Sequence, residues 1–251
     1  MIHAPTRRLA ALALVSAAAL AACGGGASAA PIVPSVAPLQ APSAAPSVGA
    51  SPAASAAAAS TGTGAGVTGC PTSAPPPMAA TDTATVTLAT SKGNIVIKVT
   101  GSLAPHATGN FVALAACGFY DGVVFHRLVP GFAIQGGDGQ FGRAPNVDAS
   151  QVGTGGPGYT ITDDTVTTPY RRGTVAMART PAPNSQGSQF FIVLSDAAAS
   201  ALASANTYAI MGEVTSGMDV VDAIAAMPNS GSPDNTALDP LPITTATVTR
   251  P

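Results

Sequence analysis

Phe125-His126-Arg127-Leu128-Val129-Pro130-Gly131-Phe132-Ala133-Ile134-Gln135-Gly136-Gly137-Asp138 sets a histidine, an arginine and a glutamine among apolar residues with the alternation of sheet. Strand geometry sends successive side chains to opposite faces, so Phe125, Arg127 and Val129 are expected on one face. Pro130-Gly131 breaks the run. Beyond it Phe132 and Ile134 are expected to share a face and Gln135 to take the other. An arginine inside an apolar strand is costly unless it is paired or working. Gly187-Ser188-Gln189-Phe190-Phe191-Ile192 repeats the theme of a glutamine beside aromatic rings. Together the two segments predict an apolar pocket with a few polar groups aimed into it, the usual anatomy of a ligand site.

Outward from this stretch, residues 81–251 read as one globular domain, long enough to bury a core. Val86 and Leu88 alternate with threonine, and Ile95, Ile97 and Val99 repeat the pattern after Ser91-Lys92-Gly93-Asn94. This is a hairpin signal. Pro105 opens a helix that carries Phe111, Leu114 and Ala115 on one face, and Gly118 suits the position after its end. Gly109 inside that helix is unfavourable by about 1 kcal/mol, and nothing in the local sequence accounts for it. Short strands are expected over 123–128, 132–136, 174–179, 190–194 and 208–214. A second helix spans 218–227, stopped by Pro228, and a last strand covers 243–248. Many short strands with two helices predict a mainly all-β chain, a closed antiparallel barrel with helices over its ends.

The start of the chain differs in kind. Arg7 and Arg8 precede an apolar run from Leu9 to Leu20, shorter than the about 20 residues a membrane span needs. Residues 1–22 therefore read as a signal peptide. Leu20-Ala21-Ala22-Cys23 resembles a bacterial lipobox, which implies that Cys23 is acylated and becomes the mature N-terminus. Gly24 and Gly25 follow it, with no aspartate. Residues 23–80 are rich in Ala, Pro, Ser and Gly with almost no charge. Such a segment buries too little side chain to offset its ordering entropy. It is expected to be a disordered tether reaching about 40 Å if flexible and on the order of 150 Å if extended. The chain is thus expected to be exported and lipid-anchored to a bacterial envelope, with its domain outside the cytoplasm. A net charge of −2 with 9% charged residues argues against nucleic acid as a partner. Arg171-Arg172, the one internal basic pair, is expected in a solvated turn.

Three separate segments resemble the signature segments of the cyclophilins, the peptidyl-prolyl cis–trans isomerases. They are residues 125–138, Arg172-Gly173-Thr174-Val175-Ala176-Met177-Ala178-Arg179-Thr180, and residues 187–192, in the family's order. The resemblance runs from about Thr85 to Thr249, and Met177-Ala178-Arg179-Thr180 looks like the bacterial branch. It implies an eight-stranded antiparallel β-barrel capped by two α-helices. It also implies catalysis of rotation about X-Pro bonds, here assisting the folding of exported proteins. The partners so implied are proline-containing unfolded or flexible polypeptides, and the default assembly is a monomer. A second reading is a non-catalytic proline-peptide-binding chaperone or envelope interaction protein that uses the same groove.

Such a reaction needs no metal, nucleotide or prosthetic group, only better binding of the twisted amide than of the planar one. By resemblance Arg127 donates to the proline nitrogen and Gln135 orients Arg127 and the substrate backbone. Phe132, Met177, Phe191 and Leu202 form the pocket for the proline ring. His126, Ala178, Arg179 and Gln189 line the groove, although a histidine at 126 can equally pack within the barrel. Tyr208 stands where the human-type proteins carry a histidine that contacts substrate. Three departures stand out. Ala133 replaces a larger residue of the pocket wall. Residues 197–206 are longer and blander than their counterpart. The chain has no tryptophan, which implies weak cyclosporin binding.

Other motifs carry less. Gly153-Thr154-Gly155-Gly156-Pro157-Gly158 satisfies G-x-G-x-x-G, but a dinucleotide site needs a strand before it and a helix after it. Asp163-Asp164 reads as a solvated loop and His106 as surface. Once Cys23 is lipidated, Cys70 and Cys117 remain. In an exported domain they either stay free or close a bridge worth about 2–4 kcal/mol that ties the end of the linker to the domain.

Overall fold

The threonine-spaced valines and isoleucines form a hairpin of β1 (Thr83–Thr90) and β2 (Gly93–Thr100). Its register sets Val86 opposite Ile97 and Leu88 opposite Ile95, so Val86, Leu88, Ile95, Ile97 and Val99 point to the same, buried face. The computed structural model describes residues 67–251. The signal segment, Cys23 and the linker up to residue 66 lie outside the described residues.

Nine further elements follow the hairpin. They are α1 (Pro105–Ala116), β3 (Phe125–Val129), β4 (Ala133–Gly136), β5 (Thr174–Met177), β6 (Phe190–Val193), α2 (Asp196–Ala205), β7 (Ile210–Ser216), α3 (Met218–Ala225) and β8 (Thr245–Thr249). The strands make one antiparallel sheet in the order β3-β4-β6-β5-β7-β2-β1-β8. The expected closed barrel is not what forms. The ladder runs open from β3 to β8, a curved half-barrel, and the end strands do not pair with each other. Residues 235–237 and 241–243 instead touch the free edge of β3 and the segment before it. Leu128 N–H donates to Asn235 O, Ala237 N–H to His126 O and Phe125 N–H to Leu241 O. Pro240 and Pro242 interrupt this stretch; without N–H groups they cannot continue a ladder.

Among the described residues three helices form rather than two. The bland alanine segment is α2, capped by Ser195, whose side chain accepts from Ala198 N–H, and closed by the left-handed Asn206. Alanine is the strongest helix former, and Leu202 with Ala198 and Ala199 suffices to bury one face. Arg172 is not simply solvated: its guanidinium grips both carboxylate oxygens of Asp222 on α3, at 2.7 and 3.0 Å.

Gly109 also finds its reason. The chain before β1 crosses α1, and a Cβ at Gly109 would stand 2.6 Å from Pro76 O and 2.8 Å from Met78 N. Met78 is buried, with its N–H on Pro105 O. Cys70 and Cys117 are joined, their Cα atoms 5.2 Å apart. Residues that read as the end of a linker therefore lie packed on α1. The Asp163-Asp164 pair is structural as well. Asp164 accepts from His106 N–H and Ala107 N–H at the start of α1, where Ala104 offers no side-chain cap, and faces His106 Nδ1 at 2.8 Å.

Apolar side chains gather in two clusters. The larger lies on one face of the sheet, around Phe111, Tyr120, Phe125 and Phe190. The smaller lies on the other face of β4, β5 and β6 and beneath α2.

Candidate active site

Arg127 reaches the second face because β3 is irregular. Phe125 pairs with Gly136 and Arg127 with Gln135, so His126 is an extra residue, a β-bulge. The bulge breaks the simple alternation. Phe125 and Leu128 both enter the main core, whereas Val129 packs toward the second cluster. The expected common face for Phe125 and Arg127 is thereby lost. On β4, Ile134 enters the main core and Ala133 joins Phe132 in the second cluster; the turn at Pro130-Gly131 re-phases Phe132, so it does not share the face of Ile134. Gln135 follows Ala133 and lies in register with Arg127.

The guanidinium of Arg127 is half-buried. Its Nε donates to Asp234 O at 3.1 Å, while Nη1 is shielded from water with no hydrogen-bond partner among the described residues. Burial pulls its pKa down from the usual value, against the raising effects of Tyr208 and Asp234; a guanidinium stays charged at neutral pH regardless. Gln135 is buried, its Nε2 donates to Gln189 Oε1 at 3.0 Å, and its Oε1 is likewise buried and unpartnered among the described residues. Gln189 Nε2 in turn donates to the carbonyls of Gly153 and Gly155, each at 2.8 Å. One idle donor and one idle acceptor thus stand on paired residues, beside an apolar surface.

That surface brings together Phe132, Phe191, Ala178, Leu202 and Tyr208, all in the second cluster. Phe191 and Tyr208 meet edge to face with centroids 5.3 Å apart. Met177 does not belong with them. It is fully buried in the main core, because on β5 it alternates with Ala176 and Ala178, which take the site face. Arg179 is committed elsewhere: its Nη1 lies 3.0 Å from Asp163 Oδ2 and its Nη2 donates to Ala182 O. It forms part of the wall of a cleft beside Gln189 with Ala178, Thr154 and Ser185. His126 is buried, with neither ring nitrogen at hydrogen-bonding geometry to a described residue. Burial lowers its pKa to about 4, with Asp138 opposing and Arg127 assisting, so the ring is neutral at pH 7.

Five contributors were not legible in the sequence. Asp234 holds Arg127 from 107 residues away. Tyr170 holds Tyr208 by backbone hydrogen bonds. Gly153 and Gly155 supply the carbonyls that fix Gln189. Asp138 gathers that loop, accepting from Gly153 N–H and Gly155 N–H. The G-x-G-x-x-G string was the one available signal for the loop. Gly155 serves close approach, since a Cβ there would stand 2.4 Å from Asp138 Oδ1, and Gly153 takes a left-handed φ of 96°.

Comparison with known proteins agrees with this geometry. The family model described as cyclophilin type peptidyl-prolyl cis-trans isomerase/CLD matches residues 85–248. The chain is 41% identical over 142 residues to a probable peptidyl-prolyl cis-trans isomerase of Brucella abortus, covering 56% of this chain and 70% of that one. It is 36% identical over 180 residues to peptidyl-prolyl cis-trans isomerase A of Dickeya dadantii, covering 70% and 90%. Among solved structures it is similar to a cyclophilin type peptidyl-prolyl cis-trans isomerase of Cryptosporidium parvum, with a TM-score of 0.55, 28% identity, and coverage of 67% of this chain and 98% of that one. The same Cryptosporidium protein, solved in the presence of the dipeptide Ala-Pro, gives a TM-score of 0.54 at 28% identity, covering 66% and 98%.

Proposed function

The chain belongs to the cyclophilin-type peptidyl-prolyl cis–trans isomerases and is such an isomerase, and from that premise we propose how its residues act and where it works. An X-Pro bond prefers trans by only about 0.5–1 kcal/mol, behind a barrier near 20 kcal/mol. Conjugation of the nitrogen lone pair with the carbonyl makes that barrier. In the half-rotated state the nitrogen is pyramidal and accepts a hydrogen bond. A donor held in place for that state lowers the barrier without covalent chemistry.

Arg127 is that donor. Its Nε is tied to Asp234 O, and Nη1 has no hydrogen-bond partner among the described residues. The proline ring rests on Phe132, Phe191, Leu202 and Tyr208, which exclude water and so strengthen the bond to nitrogen. Gln135 offers Oε1 as an acceptor to the substrate backbone or to Arg127 itself. Ala178, Gln189 and Arg179 face the flanking residues. His126, neutral and enclosed, holds the bulge that aims Arg127. The Ala-Pro dipeptide of the Cryptosporidium structure supports a proline-containing segment as the ligand class. The observation that carries this reading is the paired idle donor and acceptor of Arg127 and Gln135 beside the apolar cluster.

The domain works outside the cytoplasm. Residues 1–22 address it, Cys23 carries the lipid and the linker lifts it from the membrane, where a monomer acts on unfolded, proline-containing exported chains. Cys23→Ala is expected to release the protein from the membrane fraction.

Prolyl exchange on an Ala-Pro-Phe peptide, followed by NMR with the full-length protein, tests the chemistry. Arg127→Ala is expected to lower kcat/KM by about 10²–10³-fold, the usual effect of removing one oxyanion-type donor. Arg127→Lys keeps the charge but not the fork held at Nε and is expected to recover under a tenth of the activity. Uncatalysed exchange in a folded wild-type protein would leave the proline-peptide binder instead.

A further inference from the structure

The carboxamide of Gln135 is oriented by Gln189 and, behind it, by groups that lie outside the apolar cluster of the site. The oxygen and nitrogen of an amide have nearly the same shape, so only their neighbours decide which points where. The carbonyls of Gly153 and Gly155 can only accept, so the Gln189 atom 2.8 Å from both is Nε2. Its Oε1 can only accept, so the Gln135 atom 3.0 Å away is Nε2. What remains for the site is Gln135 Oε1, buried and without another described partner.

The sense of this chain is set at its far end. Asp138 is fully buried. Its Oδ2 accepts from Gly153 N–H at 2.7 Å and Gly155 N–H at 3.0 Å. Its Oδ1 accepts from Gln140 N–H at 3.0 Å and Phe141 N–H at 2.9 Å. Four N–H groups offset the cost of burying the charge. A carboxylate, having no proton to donate, is the group that fits four donors. In this loop the N–H groups of Gly153 and Gly155 face Asp138 while the carbonyls of the same residues face Gln189. We propose that Asp138 is a positioning residue for the isomerase: through the 153–155 loop and Gln189 it commits Gln135 to present an acceptor to the active site. This rests on the isomerase reading.

Two variants test it. Asp138→Asn puts an NH2 among backbone donors. With the fold retained, kcat for the Ala-Pro-Phe peptide is expected to fall about 10- to 100-fold, the scale of a small misplacement in an active site, with KM within about twofold. The side-chain NH2 resonances of Gln135 are expected to shift in the 1H–15N spectrum. Gln189→Glu is the sharper test. Ionised, its carboxylate faces the two carbonyls; protonated, it donates to one of them again. Its activity relative to wild type is expected to rise as pH falls through the new carboxyl's pKa. His126, Arg127, Asp138 and Arg179, the titratable neighbours, are common to both proteins, and dividing by the wild-type profile removes them. A merely structural role would give no such profile.

Unchanged kcat and unshifted Gln135 resonances in Asp138→Asn, or a flat Gln189→Glu ratio, would overturn the proposal. If Asp138→Asn does not fold, the Gln189→Glu profile decides. Should the wild type itself fail to catalyse, the isomerase reading falls, and the Gln135 resonances alone then decide whether Asp138 sets its orientation.

Discussion

Tyr170 holds Tyr208 by both of its backbone polar groups. The Tyr170 hydroxyl donates to Tyr208 O at 2.9 Å and accepts from Tyr208 N–H at 3.1 Å. Both residues are buried in the cluster that borders Arg127. Tyr208 follows the left-handed Asn206 that ends α2, so one hydroxyl clamps the turn that delivers a wall of the site.

Tyr170→Phe removes that clamp and nothing else of bulk. It strips two buried backbone groups of this partner, at a cost of about 1–3 kcal/mol. The expected result is a lower urea midpoint together with a KM for Ala-Pro-Phe raised several-fold, while kcat changes less, because the wall moves and Arg127 does not. An unchanged midpoint would mean that the hydroxyl contributes nothing.

His126 makes stability depend on pH. Its folded pKa of about 4 lies below the unfolded value of 6.5. Between the two, the unfolded chain binds the proton and the native ring does not, so stability falls as pH drops from 6.5 toward 4. The full loss is on the order of 3 kcal/mol. Urea denaturation at pH 7 and pH 4 in wild type and His126→Gln checks this: the difference between the two pH values is expected to shrink in the variant.

The Cys70–Cys117 bridge closes a loop of sequence separation 47. On the chain-entropy account such a loop is worth about 4 kcal/mol. Reduction, or Cys117→Ala, is expected to lower the unfolding midpoint while leaving the isomerase rate of the folded protein unchanged, since the bridge sits at the end of α1 and outside the cluster of the site. Intact mass should rise by about 2 Da on reduction, one hydrogen on each sulfur.

Gly109→Ala should destabilise although alanine is the better helix former by about 1 kcal/mol. The added methyl would meet the backbone of Pro76 and Met78, which cannot rotate away as a side chain can. A raised midpoint in thermal unfolding would show that the segment before β1 does not stay on α1.

Much of the fold was legible because its causes are local. The hairpin followed from alternation at Val86, Leu88, Ile95 and Ile97, and α1 from Pro105 and Phe111. Helix α2 was missed because Leu202 is its only large apolar residue, too little to show a period. Barrel closure was expected from the many short strands and from the family resemblance, whereas the end strands do not pair and Pro240 and Pro242 interrupt the stretch beside β3. At the site, Arg127 and Gln135 stood out as polar residues in apolar strands, whereas Phe132 and Phe191 are ordinary strand residues and were placed at the pocket only by the family resemblance. Met177 was drawn in by its neighbours in sequence, and only the alternation of β5 separates it from Ala178.

By itself the sequence determined the chemistry available: a guanidinium, two carboxamides and aromatic rings on short strands, since residue type and strand period are properties of neighbouring positions. The tertiary structure decided what that chemistry faces. The bulge at His126 turns Arg127 to the site, Asp234 holds its Nε, and Asp138 sets the polarity of Gln135 through Gly153, Gly155 and Gln189. Each is a contact between segments distant in the chain. Hydrogen bonds of that kind exist only once the whole sheet has closed its loops, so no local pattern could announce them.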